Sequence, residues 1–264
     1  MKELSLREIQ LESYNILLQV KRICEHNNFK YFLTYGTLLG AIRHNGFIPW
    51  DDDLDIMMPR SDYERFIQFC IDHHDDLLPY ELKHYRTCGQ YIYPIARLSN
   101  SNFYAQYENA KDYGLGCFVD IYPLDGINVN DVKYIKRLNK LRRKISIIGL
   151  NHYVKSKYLL KNIVKFPYYC LTRRFNIKKQ LQKIDILARK YSYDESEQVG
   201  CVAWELDRYP KKILNSVILH KFEDDSFPIP VGYHDMLEIM YGNYMELPPK
   251  SQQVGHHYYR IFKK

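Results

Sequence analysis

Apolar positions near the start of the chain follow a helical period and then switch to an alternating one. Ile9, Ser13, Ile16, Leu17, Val20 and Cys24 recur every three to four residues, and Ser5 with Glu8 supplies a capping box. A long first helix is therefore expected to end near Asn27 and Asn28. Tyr31 to Thr34 is a short β-prone run; after Gly36, Thr37 to Arg43 reads as a short helix closed by Asn45-Gly46. At Asp53-Leu54-Asp55-Ile56-Met57-Met58 the period drops to two, which predicts a strand stopped by Pro59, with both carboxylates on one face and Leu54 and Ile56 on the other. Ser61 with Glu64 predicts a second capping box, opening a helix that buries Phe66, Ile67 and Cys70. Strand-like runs follow at 81–86, 91–98 and 117–122.

From Asp131 to Lys190 the pattern is helical, basic and interrupted at Pro167, and Gly232 to Tyr241 reads as a helix stopped by Gly242. Pro248-Pro249 then opens a tail that contains His256 and His257. This order predicts an α+β chain in three stretches. Residues 1–130 form a catalytic core, 131–200 a basic helical subdomain, and 201–264 a segment packing back on the core to give one compact unit.

Composition narrows the class. With 264 residues, 46% of them hydrophobic, the chain can bury a sizeable core, and its 25 tyrosines give apolar surface that also carries hydroxyls for sugar or phosphate oxygens. The six cysteines stand far apart with no C-x-x-C pair, against both a zinc knuckle and a disulfide scaffold, and they read as reduced, mostly buried thiols. The first eight residues carry charges where a signal peptide needs an apolar core, and no apolar run is long enough to span a bilayer, so a cytoplasmic location is expected. The net charge of +7 is concentrated: between Asp131 and Lys190 the only acids are Asp131 and Asp185. Such a stretch suits nucleic acid, anionic headgroups or an anionic glycan, or is a solvated helix face.

The chemistry is concentrated in Pro49-Trp50-Asp51-Asp52-Asp53-Leu54-Asp55, where four carboxylates fall within five residues. Repulsion among them calls for a cation or for water. On a strand, Asp53 and Asp55 point the same way and, with Asp51 if the strand twists it inward, converge on hard cations such as Mg²⁺ or Mn²⁺. Pro49, the alternation and Pro59 oppose the helical Asp-Asp-x-x-Asp motif of prenyl-transferring synthases, and Ile56 stands where a calcium loop needs glycine. A merely solvated acidic turn is the third rival. Its neighbours weigh against it: Gly36-Thr37 offers backbone N–H groups at a helix start where a phosphate can sit, and Phe118-Val119-Asp120-Ile121 places a lone acid in an apolar strand. Asp120 is therefore expected to face the same metals or to act as a base.

Four blocks carry a resemblance: Tyr35-Gly36-Thr37-Leu38-Leu39-Gly40-Ala41-Ile42-Arg43; Gly46 through Ile56; Val119-Asp120-Ile121-Tyr122-Pro123-Leu124-Asp125-Gly126; and Tyr241-Gly242-Asn243-Tyr244 with Pro248-Pro249. Together they resemble the LicD family, which is related to fukutin and fukutin-related protein. The resemblance implies a nucleotidyltransferase-like mixed sheet flanked by helices, and transfer of phosphocholine from CDP-choline to sugars of teichoic acid, lipopolysaccharide or capsule. Two departures from the wider superfamily stand out: Thr37 replaces the more usual serine, and a long insert, Leu38 to Asp52, precedes the paired acids. The scattered cysteines offer no counterpart to the zinc-binding insertion of fukutin-related protein.

Roles follow as expectations. Asp53 and Asp55 hold the metals, Asp120 completes that site or takes the acceptor hydroxyl's proton, and Asp51 is a candidate for either. Gly36 and Thr37 receive the donor's phosphates. Arg43 and Arg97 are candidate phosphate clamps, Arg97 slightly favoured, with an ordinary ion pair as the alternative for each. Trp50 stacks on cytosine, covers choline by cation–π attraction, or packs beneath the acidic loop. His256 and His257 either touch an acceptor phosphate or are simply exposed. The expected partners are a CDP-linked donor, with choline favoured over ethanolamine, glycerol or ribitol, and a glycan acceptor carried on lipid. Arg142, Arg143, Lys144, Arg173 and Arg174 are candidates for peripheral contact with an anionic membrane, and no nucleic acid is expected. The enzymatic alternative is a nucleotidyltransferase adding a nucleotide to a small molecule or RNA; a binding module that has lost its chemistry is the alternative outside enzymes.

Overall fold

In the computed structural model, residues 1–108, 110–255 and 259–264 are described. The first strand, β1 (Lys2–Glu3), leads into α1 (Leu6–Asn27), whose capping box forms between Ser5 and Glu8 and whose end is turned by Asn28 in the left-handed region. Next come β2 (Phe32–Leu33), α2 (Tyr35–His44), β3 (Asp55–Pro59) and α3 (Arg60–Asp72). After β4 (Tyr80–Lys83), β5 (Ala96–Asn100) and β6 (Phe103–Tyr107) comes the longest strand, β7 (Cys117–Ile127). Three helices follow, α4 (Val132–Gly149), α5 (Leu159–Thr172) and α6 (Ile177–Ala188). Short strands β8 (Gln198–Gly200) and β9 (Tyr209–Pro210), the hairpin β10 (Val217–Phe222) and β11 (Asp225–Pro230), α7 (Tyr233–Tyr241) and β12 (Tyr259–Lys263) complete the order.

The main sheet runs β2-β3-β7-β5-β4, with β8 on the far end of β7 and β9 on β8. β3 and β7 pair in parallel while the other pairings are antiparallel, and the parallel pair is bridged by a long crossover through α3, β4, β5 and β6, as such a pair requires. All five residues of β3 and all eleven of β7 are buried, so both strands are covered on both faces. The alternation of acid and apolar residues therefore marks a site inside the protein rather than a solvent face. Helices α1 and α3 pack on this sheet, α1 burying Ile16, Leu17 and Val20. A second sheet, β1-β12-β6, brings the last strand beside the first. This is an α+β fold of the nucleotidyltransferase-like kind.

Helices α4 and α6 share a smaller core of Tyr134, Leu138, Leu181 and Ile184, joined to the main body by Ile127 and Tyr85. A buried ionic network pins it further. Arg60, the first residue of α3, grips both oxygens of Asp125 on β7 at 2.7 and 2.6 Å and reaches Asp185 on α6 at 3.0 Å. Tyr85 donates to the other oxygen of Asp185 at 2.7 Å.

Several local expectations need correcting. The strand begins at Asp55, so Asp53 lies in the segment before it. No capping box forms at Ser61: α3 starts two residues earlier than such a cap implies, directly after Pro59, and Glu64 instead binds Arg60, Arg86 and Arg189 at 3.1, 2.8 and 2.7 Å. Three guanidinium partners outweigh one backbone N–H. The run 91–98 is extended only from Ala96, and Pro167 sits inside α5 without ending it. Cys24, Cys70, Cys117 and Cys201 are buried thiols, Cys88 is half-buried and Cys170 exposed. Among the described residues no helix is long and apolar enough to cross a membrane.

Candidate active site

Strand register brings the acids together. On the parallel pair Asp55 stands beside Asp120, and on the antiparallel pair Asp120 stands beside Arg97. Three adjacent strands thus present Asp55, Asp120 and Arg97 in one row, on one face of the sheet. Asp53 joins from the segment preceding β3: one carboxylate oxygen each from Asp53, Asp55 and Asp120 lies within 4.8 Å of the others. Asp51, Asp52 and Asp53 form a second group within the same distance, so Asp53 belongs to both. Oxygen donors at this spacing fit a hard divalent cation.

The acidic segment is held from three sides. The side-chain amide of Gln10 on α1 donates to the Asp51 carbonyl at 2.8 Å, the Asp51 N–H donates to the Ile48 carbonyl at 3.0 Å, and the Asp55 N–H donates to the Thr37 hydroxyl at 2.7 Å. Thr37 therefore spends its hydroxyl on the strand carrying Asp55, and its side chain is buried behind the site. Gly36 is required for close approach, because a Cβ there would stand 2.6 Å from an Asp51 carboxylate oxygen. Just before it, Tyr35 turns the chain into α2 with φ +46°, an unusual conformation for a bulky residue, and its hydroxyl donates to Asp207 at 2.5 Å.

These residues floor a cleft of about 940 Å³, large enough for a nucleotide diphosphate ester. Asp51, Asp53, Asp55, Gly36, Arg43 and Trp50 line it, while Thr37, Asp120 and Arg97 are not among its lining residues. Arg43 donates to the Tyr244 carbonyl at 3.1 Å, and its buried Nε has no hydrogen-bond partner among the described residues. Burial pulls its pKa below the usual arginine range.

Arg97 is placed otherwise than a phosphate clamp requires. Its Nε and Nη2 grip both oxygens of Asp120, Nη2 at 3.0 Å, and Nη1 donates to the Tyr113 hydroxyl at 3.0 Å. The guanidinium lies over the rings of Tyr93 and Phe118, at 4.1 and 4.3 Å from their centres. Both members of the pair are buried, so Arg97 neutralises Asp120 from behind and is committed to it.

The opposite wall holds residues that sequence reasoning did not single out. Tyr241, at the end of α7, faces the acids: burial of its hydroxyl end, and then the charges of Asp55, Asp51 and Asp53, push its phenol above the ordinary range. Tyr35 and Tyr241 both fall within the blocks that carry the family resemblance, so a signal was available. Asp52, buried in the second acidic group, was visible only as one of four neighbouring acids. Asp207 stands in no recognisable pattern. His256 and His257 lie outside the described residues.

A parallel strand pair whose facing acids meet a glycine-opened helix defines a transferase-type nucleotidyltransferase domain. Comparison with known proteins agrees: the model of the LicD/FKTN/FKRP nucleotidyltransferase domain matches residues 28–133. The chain is 34% identical to the lipopolysaccharide cholinephosphotransferase LicD of Haemophilus influenzae, over 97% of each of the two chains. An uncharacterised protein of Rickettsia typhi shares 32% identity over 48% of this chain and 38% of its own length. The chain belongs to the LicD family.

Proposed function

We propose that this protein transfers phosphocholine from CDP-choline to a hydroxyl of a cell-surface glycan assembled on the cytoplasmic side of the membrane. The observation that carries the chemistry is the convergence of Asp53, Asp55 and Asp120, the first two of which line a nucleotide-sized cleft. The choice of headgroup and acceptor rests on likeness to a relative named as a lipopolysaccharide cholinephosphotransferase.

The acceptor's oxygen attacks the choline-bearing phosphorus, the bond from that phosphorus to the bridging oxygen breaks, and CMP leaves with the electron pair. Asp53 and Asp55 would hold Mg²⁺ or Mn²⁺, with Asp120 completing the set. When bound, the cation would screen the diphosphate's charge and that of the leaving phosphate. Asp51 is the better candidate to take the hydroxyl's proton, since it lines the cleft whereas both oxygens of Asp120 are gripped by Arg97. Arg43 offers guanidinium donors to the donor's phosphates, and Trp50 presents an aromatic face for cytosine or for the choline cation.

A screen of CDP-choline, CDP-ethanolamine, CDP-glycerol and CDP-ribitol with Mg²⁺ and lipopolysaccharide tests this reading. Acceptor-dependent CMP release is expected, fastest with CDP-choline and lost on chelation by EDTA. Silence with every CDP-linked donor, or pyrophosphate released from a nucleoside triphosphate instead, would overturn it.

A further inference from the structure

We propose that α5 docks the protein on an anionic lipid bilayer, seating an outward-facing apolar stripe among acyl chains and flanking cations on the headgroup phosphates. The helix is amphipathic in the inverted sense. Leu160, Ile163, Val164 and Leu171, spaced to share one stripe, are 79%, 63%, 74% and 53% exposed. Its less exposed side carries hydrogen-bonding groups by contrast: Asn162 is tied to Ser156 and to the Tyr153 hydroxyl, Tyr168 and Tyr169 are half-buried, and Thr172 is buried with its hydroxyl on the Tyr169 carbonyl. A helix that belonged wholly in water would turn these two faces the other way.

Charge decides what covers the stripe. Residues 132–184 contain sixteen Lys and Arg and no Asp or Glu. Between α4 and α5 a groove of about 1130 Å³ has Ile147, Leu160 and Val164 as its aliphatic lining and Lys140, Arg143, Lys161 and Lys165 as its cations. Tyr158, half exposed just before α5, has the ammonium groups of Lys157 and Lys161 near its ring at 5.1 and 4.7 Å, the aromatic-plus-lysine combination suited to a headgroup layer. A second copy would bring like charge against like charge, and a nucleic acid would leave the stripe in water. An anionic bilayer satisfies both features. The docking face is therefore narrower than charge along the sequence suggests: Arg142 turns inward to the Trp204 carbonyl, Lys144 lies over the Phe175 ring and Arg173 is bound to the Leu150 carbonyl.

The test is co-sedimentation of the full chain with vesicles of phosphatidylcholine containing about a third phosphatidylglycerol, and with phosphatidylcholine alone. Binding to the anionic vesicles only is expected. Two double variants, Leu160→Ser with Val164→Ser and Lys157→Glu with Lys161→Glu, should each weaken it about ten-fold or more. Their thermal unfolding and CMP release with a soluble acceptor should match the unaltered chain. Absence of binding, binding that neither double variant weakens, or a solution dimer that either variant dissociates would each overturn the proposal. It stands apart from the proposed chemistry: CMP release without vesicle binding removes docking alone, and vesicle binding without CMP release removes the chemistry alone.

Discussion

Thr37, Arg97 and Asp120 show how far a residue's type predicts its task. A hydroxyl after a glycine, an arginine near a strand and an acid in an apolar run were all legible as candidates. Their partners were not, because those are set by strand register and helix placement. Thr37 accepts the Asp55 N–H, so Thr37→Val should leave a buried donor unsatisfied and cost about 1–3 kcal/mol, whereas Thr37→Ser should stay near the unaltered stability. Urea unfolding of both variants decides it; equal stability would show that this bond does not hold the strand. Arg97→Met removes the guanidinium that neutralises the buried Asp120 charge, for an expected loss of about 3–5 kcal/mol. A variant as stable as the parent, but with a raised KM for CDP-choline, would restore the phosphate-clamp role. Asp55→Asn should lower kcat by about 10²–10³-fold or more with little change in fold, as expected when charge stabilisation is removed from a preorganised site.

Among the elements, the period-two segment was the most informative part of the sequence and also misled in one respect. Alternation located β3 and set Asp55 against Leu54 and Ile56, but Asp53 falls outside the strand and reaches the cluster from a tethered loop. Helix α3 was placed correctly through Phe66, Ile67 and Cys70, while its start was not: Glu64 joins an ionic network that no local pattern reveals. That network makes its own prediction. Because Arg60 ties α3 to Asp125 on β7 and Asp185 on α6, Asp125→Asn should loosen the helical stretch from the sheet. Hydrogen exchange in α4 and α6 is expected to rise well before that in β3 and β7, and uniform protection across all four would count against it.

For the molecule as a whole, acid should reveal a buried histidine. His84 lies against the Tyr85 ring at 4.3 Å, and burial, with Arg86 close by, holds its pKa down at about 3. An ordinary histidine takes up a proton near 6.5. Above that pH both folded and unfolded chains are neutral at this position, so its contribution is intact. As pH falls from about 6.5 toward about 3 the unfolded chain binds a proton that the folded one refuses, and stability falls by about 1.4 kcal/mol per unit. His84→Phe should remove that component, and unfolding free energies with the same slope between pH 6.5 and 4.5 in both chains would refute it.

The parallel pairing of β3 with β7 also sets when chemistry becomes possible. Asp55 and Asp120 are 65 residues apart in the chain (120 minus 55), and they become neighbours only after the entire intervening crossover has closed. A fragment ending at Pro59 would carry Asp51, Asp52, Asp53 and Asp55 without the strand that gathers them. If the acids hold a cation as proposed, metal affinity would be a property of the finished core, and a chain halted partway through folding would not handle a nucleotide before it could use one.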